Sequence, residues 1–232
     1  MRIQHQHLCR IGCVLLLLFL SACTSPRKPM RWPWSEPDQT ADLAKYGPTS
    51  AQKVDQLRAL AERASEADEA TRQRVSQELA EQIRREESPL VRMQIIRTAA
   101  RYPTPTSLEI LRGSLKDPDK DVRIIACQVW GKRADAESVQ LLGETLRSDS
   151  DFDVRIAATK ALGTTGSPAA VPMLATAIED PDPAMQLRAV ESMRTTSGKD
   201  FGDDVKAWRE YAKNPSLEPK NQSVAERIRK IF

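Results

Sequence analysis

One pattern recurs four times along the chain and constrains its fold more than any other feature. An acidic residue stands five positions before a hydrophobic one in Glu86/Val91, Asp117/Val122, Asp149/Val154 and Asp180/Met185. A residue suited to capping a helix stands three before the hydrophobic one, at Ser88, Asp119, Asp151 and Asp182. The four hydrophobic positions are 31, 32 and 31 residues apart. Self-similarity at this period marks a helical solenoid, in which one unit cannot bury its apolar face alone and stacked neighbours complete the core.

Each unit carries two helical stripes in step. The first helix opens at the capping residue, with Pro89 and Pro183 in the first turn, where a missing N–H is harmless. Its apolar face is set by Val91/Ile95/Ala99, Val122/Ala126/Trp130, Val154/Ala158/Leu162 and Met185/Ala189/Met193. The second helix aligns Leu111 with Leu142 and Leu174, and Leu115 with Leu146 and Ile178. Two further helices precede these units. Thr49 and Gln52 form a capping box, Val54, Leu57, Leu60, Ala61 and Ala64 share a face, and Val75, Leu79 and Ile83 form a second stripe. A divergent terminal pair with a polar outer side keeps a solenoid soluble. After the last unit, Asp203 or Asp204 caps a short helix on which Trp208 seals the end of the core.

Asp117–Ala126 has the form Asp-x-Asp-x-x-Val-Arg-x-x-Ala, and Asp149–Gly163 matches best. These segments resemble the bacterial HEAT repeat of the phycobilisome-lyase type, well over residues 86–198 and loosely over 49–85. The resemblance implies an all-α, right-handed α-α superhelix (a HEAT/armadillo-like solenoid) of about four to five helix pairs. It departs at Gln186, which stands where Arg92, Arg123 and Arg155 stand in other units, with Arg188 expected to take over. The resemblance also implies that the repeated Asp and Arg serve the stack itself: Asp caps its helix, worth about 1 kcal/mol, and Arg pairs with the acid of a neighbouring repeat. It further implies that the second helices line a concave face. Candidate partner-binding residues there are Glu109, Arg112, Glu137, Gln140 and Glu144.

The N-terminus indicates location. Arg2 and Arg10 precede an apolar run over residues 11–20, too short to span a bilayer, and Leu20-Ser21-Ala22-Cys23 follows. This resembles a bacterial lipoprotein signal, implying removal of residues 1–22 and lipidation of Cys23. Thr24 follows the Cys where Asp would retain an enteric-type lipoprotein at the inner membrane, so the resemblance favours the outer membrane, on its periplasmic side. From Cys23 to residue 48 the chain is rich in proline and reads as a tether; the 25 residues after Cys23 reach about 25–30 Å as a coil and about 75 Å fully extended. The organisation expected is therefore signal 1–22, lipidated Cys23 and tether 23–48, capping pair 49–86, solenoid 87–213, and a linker with a short amphipathic helix over 214–232. In that last segment Val224, Ile228 and Ile231 oppose Arg227, Arg229 and Lys230.

Composition narrows the function. Loss of the signal would remove both histidines, His5 and His7, together with Cys9 and Cys13, leaving Cys23 and Cys127. A His-based triad and a His-ligated zinc site are then excluded; no metal or cofactor site is expected. The formal charge of the chain is +3, but Thr49 to Lys213 carries 25 Lys and Arg against 27 Asp and Glu. No concentrated basic face for nucleic acid follows from that balance. The expected function is a non-catalytic, membrane-anchored protein-interaction scaffold with protein partners in the cell envelope. The alternatives are a bilin lyase-like enzyme, since that activity occurs among relatives by fold, and a passive envelope spacer.

Overall fold

The computed structural model describes residues 39–219, and helices are the only regular secondary structure among them. Cys23, expected to be lipidated, the expected signal segment and the C-terminal stretch expected to be amphipathic lie outside the described residues. Two units are separated at Gly47. The first contains helix α1 (Gln39–Tyr46), closed by Gly47 at φ 74°. This helix falls inside the stretch read as a proline-rich tether. Its eight residues lie between Pro37 and Pro48, so prolines bound the segment without interrupting it.

The second unit is a two-layer stack. Its first layer (A) holds α2 (Ser50–Glu62), α4 (Pro89–Ala99), α6 (Lys120–Arg133), α8 (Phe152–Thr164) and α10 (Pro183–Ser197). Its second layer (B) holds α3 (Glu69–Arg85), α5 (Pro105–Ser114), α7 (Ala136–Ser148), α9 (Val171–Ile178) and α11 (Val205–Lys213). Each A helix packs on the next, and the A layer is the more tightly packed; in the B layer α5 and α7 approach least closely.

The helix starts follow from the capping chemistry. Thr49 and Gln52 form the full reciprocal box at α2. Asp119, Asp151 and Asp182 accept backbone N–H groups at the starts of α6, α8 and α10, and Asp204 does so at α11. Ser88 occupies the N-cap of α4, but its hydroxyl makes no capping bond. The Glu86 carboxylate accepts the Ser88 N–H at 3.0 Å, as Asp117, Asp149 and Asp180 do for the N–H two residues on. Pro89 and Pro183 lie in their first turns, and Gly198, at φ 68°, ends α10 in the left-handed conformation a β-carbon disfavours.

Apolar periodicity maps directly onto the core. Val91, Val122, Val154 and Met185 are fully buried, as are Leu142, Leu162 and Leu174. The core divides at the first regular repeat. Ile95 and Ile110 face the N-terminal cluster with Val54, Val75 and Leu79, while their chain neighbours Ile96 and Leu111 face the C-terminal one. Trp130 is fully buried, and its Nε1 donates to the Leu111 carbonyl at 3.1 Å, tying α6 to α5. Trp208 closes the C-terminal end as expected: it is fully buried, donates to the Gly202 carbonyl at 2.8 Å, and meets Phe201 edge-on at 5.0 Å.

Two glycines account for the tight A layer, and a third lies at a contact within the B layer, between α7 and α9. A β-carbon on Gly131 would stand 2.9 Å from the Ala161 carbonyl oxygen, and one on Gly163 would stand 2.7 Å from the Ser192 Cα. On Gly143 it would meet the flexible end of Met173 at 2.8 Å. At the Gly163 crossing the Ser192 hydroxyl donates to the Thr159 carbonyl at 2.9 Å. Small residues here let α8 and α10 approach nearly backbone to backbone.

Candidate functional site

The repeated Arg and Asp build a clasp between consecutive repeats. Arg92 donates through Nε and Nη2 to both carboxylate oxygens of Asp117, at 2.9 and 2.8 Å. Its Nη1 donates to the carbonyls of Glu86 and Glu87, in the loop before its own helix. Arg123 repeats the arrangement one unit later, with Asp149 at 2.8 and 3.1 Å and the carbonyls of Asp117 and Pro118. Each acid also accepts the N–H two residues on, at Asp119 and Asp151. One guanidinium thus joins two loops, in the planar two-point geometry that Arg supplies and Lys does not. The hydrogen bond to Asp117 or Asp149 holds the guanidinium charge more firmly than usual in both residues, against the opposing effect of burial. Lys53 makes a simpler version with Glu86 at 2.8 Å.

The clasp is incomplete at the third unit. Arg155 donates to the carbonyls of Asp149 and Ser150 but forms no ion pair among the described residues. Gln186 donates to the Asp180 carbonyl at 2.7 Å, reproducing the loop half of the clasp. Arg188, expected to replace the missing Arg, instead pairs with Glu191 in its own helix at 2.6 Å. Two positions further along a helix turns the side chain by about 200°, away from the loop.

The five candidate partner-binding residues all fall on the B layer, on α5 and α7, where they form two groups. Arg112 donates to Glu109 at 2.5 Å and across to Glu137 at 2.6 Å, bridging the two least closely packed B helices. Gln140 donates to Glu144 at 3.2 Å. One guanidinium is thus shared by two carboxylates, Glu109 and Glu137, while Gln140 and Glu144 stand in solvent. Ion pairs this exposed contribute about 0–1 kcal/mol, so the bridge fixes side-chain positions more than it stabilises the stack.

Sequence reasoning missed a groove of about 560 Å³ between α3 and α5. Ala80, Ile83, Ile110 and Gly113 give it an apolar floor, and Arg84 and Glu109 stand at its margin. The one sequence signal was Gly113, a glycine inside a helix.

The model of the HEAT-repeat family matches residues 76–163 and again residues 139–210, more than half of the chain. The chain belongs to the HEAT-repeat family. HEAT repeats generally mediate protein–protein interactions, and HEAT-repeat proteins are generally non-catalytic scaffolds. No curated protein matches the chain. Within this HEAT stack, no group of three or more His, Cys, Asp or Glu among the described residues is placed to hold a metal ion. No helix among those residues is long and apolar enough to cross a membrane.

Cys127, the free thiol of the HEAT stack, lies fully buried on α6. Burial pushes the thiol up to about 12, so it stays protonated and unreactive at neutral pH. Cys127 is expected to resist a thiol reagent at pH 8 in the folded protein and to react fully in denaturant. Rapid labelling of the native protein would show that α6 opens locally.

Proposed function

We propose that this HEAT-repeat chain is a lipid-anchored, non-catalytic scaffold that presents the B-layer face of its solenoid to a protein partner in the cell envelope. Cys23 carries the anchor in this reading, residues 24–48 hold the solenoid off the membrane, and α5 and α7 form part of the concave contact face. The outer membrane, on its periplasmic side, is the favoured location. One observation carries the binding assignment. Glu109, Gln140 and Glu144 project into solvent from two neighbouring helices whose large apolar residues, Ile110, Leu111, Leu142 and Leu146, are committed to the core. Such a surface recognises by polar complementarity and shape, and offers no large aromatic anchor.

Two substitutions separate recognition from stability. Glu144→Lys is expected to reduce partner capture at least severalfold with the melting temperature unchanged, because the exposed Glu144 side chain hydrogen-bonds only Gln140 among the described residues. Glu137→Lys is expected to do the same with a small drop in melting temperature, because it also breaks the Arg112 bridge. Capture unchanged in both would remove α7 from the contact face. Cys23→Ala tests the anchor: the protein should move from the membrane to the soluble fraction of the envelope. Retention at the membrane would discard lipidation as the means of attachment.

A further inference from the structure

The last A helix is closed along only half of its outer flank. Gly131 and Gly163 hold one register of α6 and α8, where a β-carbon would collide with the next A helix. On α10 that register holds Arg194. Its guanidinium donates to the Gly202 carbonyl at 2.9 Å and to Asp203 at 3.1 Å. The loop after α10 is fastened there, and the arginine leaves no room for another helix to approach backbone to backbone. Two turns earlier on the same flank, Leu187 is 52% exposed. Met93, Ile124 and Ile156, at its register on α4, α6 and α8, are half-buried against the core. The opening therefore admits a short occupant at the N-terminal half of α10 and excludes a full A helix, whether of a further repeat or of a second copy.

The chain's own C-terminal segment can reach this opening. Lys199 donates to the Leu217 carbonyl at 2.8 Å and to Glu218 at 2.7 Å, fixing the approach to Pro219 beside the C-terminal end of α10. Leu187 lies ten residues back from Ser197 along the helix, about 15 Å. The five residues from Pro219 to Ser223 extend to about 17 Å. Beyond them Val224, Ile228 and Ile231 stand at helical spacing, with Arg227 flanking their stripe and Arg229 opposite it.

Charge favours the same match. Residues 179–218 hold nine Asp and Glu against six Lys and Arg, whereas residues 219–232 hold one Glu against four Lys and Arg. Near Leu187, Arg188 and Glu191 neutralise each other. Asp180 and Asp182, at the start of α10, accept backbone N–H groups but pair with no cation among the described residues.

We infer that residues 223–232 dock as a short amphipathic helix on the N-terminal half of α10, with Val224, Ile228 and Ile231 over Leu187 and Arg227 toward Asp180 and Asp182. A helix of ten residues is marginal alone, so the docking surface supplies its stability. The inference is independent of the partner-binding face on α5 and α7, which lies on the other layer.

The test places a photoreactive residue at exposed Ala184, one turn from Leu187, in the full-length protein in cells. Irradiation is expected to give an adduct at the mass of the monomer, with the crosslinked peptide lying within residues 223–232. Ile228→Asp and Leu187→Ser should each lower its yield about tenfold, as expected for one lost apolar contact. Both positions are exposed or outside the stack core, so an unchanged melting temperature is expected alongside. Arg227→Glu should lower the yield more than Arg229→Glu, which changes the charge equally on the opposite side. An adduct between two copies, an adduct only to other proteins or to lipid, no adduct at all, or a tail adduct indifferent to Ile228→Asp and Leu187→Ser would each overturn the inference. Equal effects of the two arginine substitutions would overturn the orientation assigned to the helix.

Discussion

Arg123→Ala is expected to destabilise the solenoid by about 3 kcal/mol, the range found when one partner of a buried ion pair is removed. The Arg123 and Asp149 side chains are only 13% and 9% exposed, so water cannot replace the lost guanidinium. The substitution leaves a buried carboxylate and two loop carbonyls, of Asp117 and Pro118, without their donor. Asp149→Ala should cost a similar amount, since it also removes the acceptor for the Asp151 N–H. The double variant should lose much less than the two single losses together, as required of coupled partners. Arg155→Ala provides the internal control. That arginine holds the same repeat position but forms no ion pair, so its loss should stay near 1 kcal/mol, the value of ordinary hydrogen bonds. Urea titrations of the four variants check this. Equal losses at Arg123 and Arg155 would show that the acid contributes nothing beyond the loop bonds.

Gly163→Ala is expected to destabilise by about 2 kcal/mol, within the range for overpacking a filled interface. The same change at Gly113 should stabilise by about 0.5–1 kcal/mol through helix propensity alone. The two sites differ only in surroundings. The new methyl would lie 2.7 Å from the Ser192 backbone in one case and in open space in the other. To accommodate it α10 must move away from α8, which also strains the bond from Ser192 to the Thr159 carbonyl. Gly131→Ala should resemble Gly163→Ala, because a carbonyl oxygen, which cannot rotate away, stands 2.9 Å from the added carbon. Thermal melts of the three variants give the signs directly; a loss at Gly113 or a gain at Gly163 would contradict the packing described.

The features legible in the sequence share a physical basis. Each repeats, and repetition distinguishes a stripe from chance. Val122, Val154 and Leu142 read as core because their counterparts recur, and Asp119, Asp151 and Asp182 read as helix starts because capping needs only local geometry. Trp130 was placed in the core by its register with Leu162. Features specific to one repeat were harder to read. Nothing local distinguishes Ser88, whose hydroxyl makes no capping bond, from the three capping aspartates. Arg188 departs from its expected role because a shift of two positions changes the helix face, while the loop does not move with it. The unpaired Arg155 was equally hidden, since Asp149–Gly163 is the best match to the repeat pattern and the missing partner lies in the next unit. Helix α1 carries no repeat signal. The α3–α5 groove joins residues 80 to 117, and its one trace in the sequence was the glycine at position 113.

The five candidate residues lie on one layer, but their spacing does not reveal that Arg112 bridges Glu109 and Glu137. Gln140 and Glu144 form a separate exposed pair on α7.

The scaffold reading is tested most directly by in-cell photo-crosslinking from single positions on the two layers. A photoreactive residue at Gln140 reports on the B layer, and one at exposed Arg97 on the A layer, each with Cys23 intact or replaced by alanine. The account predicts one or two abundant protein adducts from Gln140, few from Arg97, and loss of the Gln140 adducts when Cys23 is replaced. Adducts of equal strength from both layers, or adducts indifferent to Cys23, would contradict an anchored scaffold that binds through its B layer.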